Sequence, residues 1–79
     1  MTKTICILLA EGFEESEAIV PADLLKRLGV NVIFTSITDN KEIIGTHGFK
    51  ILSDTTINNI STDDFDALML PGGLPGTTN

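Results

Sequence analysis

The chain's 79 residues allow one domain at most, and with 42% hydrophobic and 20% charged residues its composition is that of a folded protein. Its 11 Asp and Glu against 5 Lys and Arg leave a net charge of −6, which argues against a nucleic-acid partner, because phosphate-backbone binders present a basic face. The longest unbroken apolar run, Ile5 to Ala10, is too short for a bilayer span or a secretory signal, and the lone Cys6 can form no internal disulfide, so a soluble cytoplasmic protein without a membrane partner is expected.

Thr4-Ile5-Cys6-Ile7-Leu8-Leu9-Ala10 is apolar on both alternating faces and rich in β-branched residues, the pattern of a strand buried on both sides. A helix is predicted next, starting near Glu15. Ala18, Val20, Leu24, Leu25 and Leu28 supply an apolar stripe, and Glu14, Glu15 and Glu17 crowd the first turns, where the helix dipole favours negative charge. Lys26 and Arg27 fill the last turn, and Gly29 is a natural stop. Val30 to Ile37 repeats the character of the first strand, so strand, helix and strand form a βαβ unit with parallel strands. Thr38-Asp39-Asn40-Lys41 reads as a turn. Glu42-Ile43-Ile44 and Phe49-Lys50-Ile51-Leu52 around Gly45-Thr46-His47-Gly48 predict a β-hairpin excursion. Thr55 to Thr62 is polar apart from Ile57 and Ile60 and reads as a loop with one helical turn. The acidic Asp63-Asp64-Phe65-Asp66 leads into a third strand, Ala67-Leu68-Met69-Leu70, which stops at Pro71.

One helix cannot cover both faces of a sheet whose strands are apolar on both sides, since doubly wound sheets need several crossover units. The chain also stops at Leu74-Pro75-Gly76-Thr77-Thr78-Asn79, where a further helix is due. Both features lead to the expectation that residues 1–79 are the N-terminal part of a single larger domain.

Ligands of open parallel sheets bind outside the carboxyl ends of the strands. Two unusual loops fall at such ends here: Glu11-Gly12-Phe13-Glu14-Glu15-Ser16-Glu17 and Pro71-Gly72-Gly73. In a helix begun near Glu15, Pro21 cannot donate to the Glu17 carbonyl, so a kink or a late start is expected beside Glu17. A glutamate in such irregular, partly desolvated surroundings suits proton transfer, although spacing alone favours a solvated first-turn residue. Glu11, Glu14 and Glu15 read as solvated charges. Gly72 and Gly73 can present backbone N–H groups to an anion, or simply make a tight strand-to-helix turn; no Lys-Ser/Thr pair follows to make a P-loop. Cys6 lies inside a buried strand and reads as packing. His47 stands alone in a hairpin turn, without a second ligand at a metal-like spacing, and Asp63, Asp64 and Asp66 lack the alternation of a calcium loop. No metal and no cofactor are therefore expected.

Ile7 to Ala18, followed by Pro21-Ala22-Asp23-Leu24-Leu25 and Gly29-Val30, closely resembles the N-terminal half of the ThiJ/PfpI superfamily. The nearest branch holds the parkinsonism-associated protein deglycase and bacterial ThiJ-like proteins, and Asp66 to Gly73 resembles that branch's second motif. The resemblance runs through essentially the whole chain. It implies a flavodoxin-like, class I glutamine amidotransferase-like α/β sandwich of roughly twice this length, in general a homodimer, so the expected partners are the remainder of the same domain and a second copy.

By the same resemblance, Glu17 matches the glutamate that shares a proton with a reactive cysteine, which overturns the solvated reading. Gly73 matches the glycine whose N–H helps form the oxyanion site, with Gly72 shaping the turn. The cysteine nucleophile and its histidine neighbour fall beyond residue 79 in the family pattern, and Cys6 matches neither. His47 stands where close relatives often carry an arginine near the dimer interface. The implied activity is cysteine-dependent attack on the carbonyl of an α-oxoaldehyde or early glycation adduct, of glyoxalase or deglycase type, or the thiazole-phosphate role of the older ThiJ naming. This chain would supply the acid/base and the oxyanion glycine and be inactive alone. The alternatives are a redox sensor or oxidative-stress chaperone using the same residues, and a naturally short α/β binding module.

Overall fold

The computed structural model describes residues 3–72. Strand β1 (Thr4–Leu9) leads through a loop to helix α1 (Glu15–Arg27) and returns as β2 (Asn31–Ser36). The two strands are parallel, in register from Thr4 against Asn31 to Leu9 against Ser36. A hairpin of β3 (Glu42–Ile44) and antiparallel β4 (Lys50–Leu52) stands apart as its own two-stranded sheet. The chain then adds β5 (Thr55–Thr56), parallel to the end of β2, and after two 3-10 turns β6 (Ala67–Met69), parallel to β1. The main sheet is therefore all parallel, in the order β5-β2-β1-β6.

Each βαβ part follows from its residues. Glu14 caps α1 from an extended backbone, and its carboxylate accepts from the Ser16 N–H. At the other end Gly29 turns the chain with φ of +86°, a conformation that a Cβ disfavours. The helix passes through Pro21 without a late start, so the Glu17 carbonyl loses its i+4 donor inside a continuous helix.

The buried line of α1 is Glu15, Ala18 and Ala22, with Leu25 packed against the core. Val20, Leu24 and Leu28, which the sequence places in the apolar stripe, are mostly exposed. These three lie four residues apart along a separate line of the helix, while the small alanines let the backbone come close to the sheet. The core on that side is Ile7, Leu9, Phe13, Ala18, Ala22, Val32 and Ile43.

Strand alternation puts Cys6, Leu8, Ile33, Leu68 and Leu70 on the opposite face of the sheet. Leu68 and Leu70 there are exposed, and among the described residues no helix covers them. The segment from Thr55, expected as a loop with a helical turn, holds the short edge strand β5 and the turn Ile57–Asn59. Two residues are too few for a period-2 pattern, so only pairing with Thr35 and Ser36 reveals that strand.

Candidate active site

The β1–α1 loop and the turn after β6 meet at the carboxyl edge of the parallel strands. They are joined by two hydrogen bonds: the Glu14 N–H donates to the Gly72 carbonyl (2.6 Å), and the Gly72 N–H donates to Glu17 Oε1 (3.2 Å). The second bond spans 55 residues of sequence. Glu17 is exposed, lying on the first turn of α1, and its carboxylate packs so closely on the turn that a Cβ on Gly72 would collide with it. Gly72 has no positive φ, so here glycine serves the approach of Glu17 and not an unusual backbone. Gly73, the expected oxyanion donor, lies outside the described residues.

Glu14 and Glu15, expected to be solvated, are both engaged. Glu15 is buried, with its carboxylate against Gly45 at a spacing that leaves no room for a Cβ. Oε2 accepts from the backbone N–H groups of His47 (2.9 Å) and Phe49 (3.2 Å), and Oε1 lies 2.8 Å from His47 Nδ1. Burial by itself would raise the Glu15 carboxyl, but the His47 ring and the backbone donors outweigh it and hold the group down at about 2. His47 is raised above its ordinary value, chiefly by its bond to Glu15 and then by the charge of Glu14, whose Oε2 is 3.8 Å away. His47 is thus no isolated turn residue: the hairpin carries it across to α1, a contact that sequence separation hides.

One carboxylate oxygen each of Glu14 and Glu15 and one ring nitrogen of His47 all lie within 4.8 Å of one another. The helix N-terminus brings positive charge there, and His47 adds its own when protonated, which makes the group an ion pair in character. Several of the other acids have structural tasks. Glu11 Oε1 accepts from the Ile44 N–H, Asp66 Oδ2 from Thr4 N–H, and Asp64 completes a capping box with Ser61. Cys6 is fully buried and its thiol donates to Thr35 Oγ1 at 3.1 Å, the setting of an inert packing residue. No helix of the described residues is long and apolar enough to cross a membrane.

The structure of Drosophila melanogaster DJ-1beta overlays this chain with a TM-score of 0.91 and 36% identity, covering 99% of the chain and 42% of DJ-1beta. Oxidised Toxoplasma gondii DJ-1 does so with a TM-score of 0.90 and 28% identity, covering 95% of the chain and 41% of that protein. In sequence, Protein DJ-1 homolog B of Arabidopsis thaliana is 41% identical over 75 residues, which is 95% of the chain and 17% of the plant protein. A protein of Staphylococcus aureus strain Mu50 is 40% identical over 74 residues, 94% of the chain and 43% of its own length. The chain therefore spans well under half of these relatives. The model of the DJ-1/PfpI family matches residues 3–79. With the parallel sheet, crossover helix and paired loops of its described residues, the chain belongs to the DJ-1/PfpI family.

Proposed function

We propose that this chain is the N-terminal part of a cysteine-dependent enzyme that acts on the carbonyl of α-oxoaldehydes or early glycation adducts. The observation that carries the proposal is the Gly72 N–H bond to Glu17 Oε1, which fixes an otherwise exposed carboxylate beside a glycine turn at the carboxyl edge of the sheet. In the complete protein a cysteine outside this chain attacks the carbonyl carbon as a thiolate. Glu17 holds the proton taken from that thiol and returns it to the developing alkoxide, while the Gly73 N–H stabilises the negative charge. The exposed Leu68 and Leu70 support a further layer of the same domain over that face. The reading includes a homodimeric complete protein in the cytoplasm.

Turnover of methylglyoxal by the complete protein tests the proposal. The wild type is expected to consume it and the Glu17→Ala variant to lose most of that activity; a wild type without turnover refutes the enzyme reading. The likeness to Toxoplasma gondii DJ-1 in its oxidised state supports a second reading, a redox sensor whose cysteine is oxidised to a sulfinate held by Glu17. Peroxide treatment followed by mass analysis of the cysteine peptide tests it: a gain of two oxygens that Glu17→Ala suppresses is expected, and equal oxidation in both proteins refutes it.

A further inference from the structure

The hairpin loop grips helix α1 at the same turn that carries Glu17. His47 and Phe49 bind the Glu15 carboxylate from one side, through two backbone N–H groups and the imidazole. The loop is itself anchored, because the Thr46 N–H donates to the Phe13 carbonyl (2.8 Å) and the Gly12 N–H to the Ile44 carbonyl (2.9 Å). From the other side the Gly72 turn holds the Glu14 N–H and the Glu17 carboxylate. The first turn of α1 is therefore clamped between two loops, with Glu15 facing one and Glu17 the other.

We infer that His47 is a positioning residue for Glu17, acting through Glu15 and the first turn of α1, so that protonation of the imidazole tightens the hold on the Glu17 carboxylate. The inference rests on the reading of Glu17 as the proton-transfer group. The charged groups facing the imidazole are Glu14 and Glu15 of α1. Among the described residues no other cationic side chain lies within 4.0 Å of either carboxylate. A neutral ring with its proton on Nδ1 keeps the hydrogen bond but loses the charge assistance, and it leaves the two neighbouring carboxylates without a counter-charge. The helix turn is then held less firmly against Gly72. An arginine at position 47 supplies a permanent cation, whereas a glutamine supplies a neutral donor.

The test follows the Gly72 amide by 15N NMR across a pH titration of the complete protein, beside the His47 ring protons and kcat/KM for methylglyoxal. In the wild type the Gly72 amide is expected to shift with the same midpoint as the His47 ring. In His47→Arg that inflection disappears and the amide stays near its low-pH position. In His47→Gln the amide sits near its high-pH position throughout, and kcat/KM below the His47 midpoint is about threefold under wild type, the scale of a partly exposed charge contact at a helix end. A Gly72 amide that does not move while His47 titrates overturns the inference. The same holds for an inflection that survives in His47→Arg. Because the amide readout needs no turnover, an inactive wild type would refute the enzyme reading while the NMR titration still decides the role of His47.

Discussion

Replacing Gly72 by alanine separates the role of this turn in catalysis from any role in stability. The added methyl falls on the Glu17 carboxylate, and the backbone of Gly72 is open to alanine because its φ is not positive. Glu17 is exposed, so its flexible side chain swings into solvent and gives way without disturbing the core. What is lost is the 3.2 Å bond from the Gly72 N–H. A bond to a charged acceptor contributes about 1.5–3 kcal/mol, and exposure puts this one at about 1.5. That corresponds to about a tenfold fall in kcat/KM, since each ~1.4 kcal/mol of transition-state stabilisation is a factor of ten. Global stability should fall by at most about that same 1.5 kcal/mol, partly offset by the reduced freedom of the unfolded chain. Methylglyoxal turnover and urea unfolding of the complete protein, wild type against Gly72→Ala, measure both. Activity within twofold of wild type would show that the bond does not position Glu17. A stability loss above about 2 kcal/mol would show that the turn is a structural element and the carboxylate incidental.

Phe13 is almost fully buried between the sheet and α1, and Phe13→Ala should cost about 3–5 kcal/mol in urea unfolding; a loss below about 1 kcal/mol would mean that it packs against nothing essential. Gly45→Ala should behave unlike Gly72→Ala, because the carboxylate it strikes is pinned by His47 and Phe49 and cannot swing away. A clear drop in Tm, with the His47 midpoint falling back toward its ordinary value by NMR, is expected, and an unchanged Tm refutes the close approach. The Glu15–His47 pair also sets a pH window. Glu15, depressed from 4.5 to about 2, contributes stability that is present above pH 4.5 and lost as pH falls toward 2. His47, raised above 6.5, contributes stability that is complete below pH 6.5 and lost as pH rises through its folded value. The stability difference between wild type and Glu15→Gln should therefore be largest between pH 4.5 and 6.5, and urea midpoints that differ equally at every pH would refute the pairing.

The local sequence was enough for every element whose pattern repeats over several residues. The apolar runs at Ile5 and Val32 became adjacent parallel strands, the acidic start and Gly29 stop bounded α1 within a residue or two, and the glycines around His47 made the hairpin. Burial of a whole strand or of a helix line demands many apolar residues in period, and such demands are visible along the chain. The motif around Glu17 and Gly72 was legible too, but as a pattern of residue types; that the two touch is a tertiary fact. Glu15 shows the limit most clearly. In sequence it is one of three glutamates at a helix start, and nothing local marks it for burial. Only the return of the hairpin, 32 residues later, buries it, surrounds it with donors and gives His47 a partner. The same holds for the helix face, where Val20 and Leu24 are as apolar as a core requires yet the smaller Ala18 and Ala22 lie inward. The order of residues along the chain decided that there would be a sheet and a crossover helix, and composition that the surface would be acidic. Which carboxylates are held, and by which backbone donors, was decided by loops meeting across the ends of the strands, because hydrogen-bond satisfaction depends on what arrives from elsewhere in the chain.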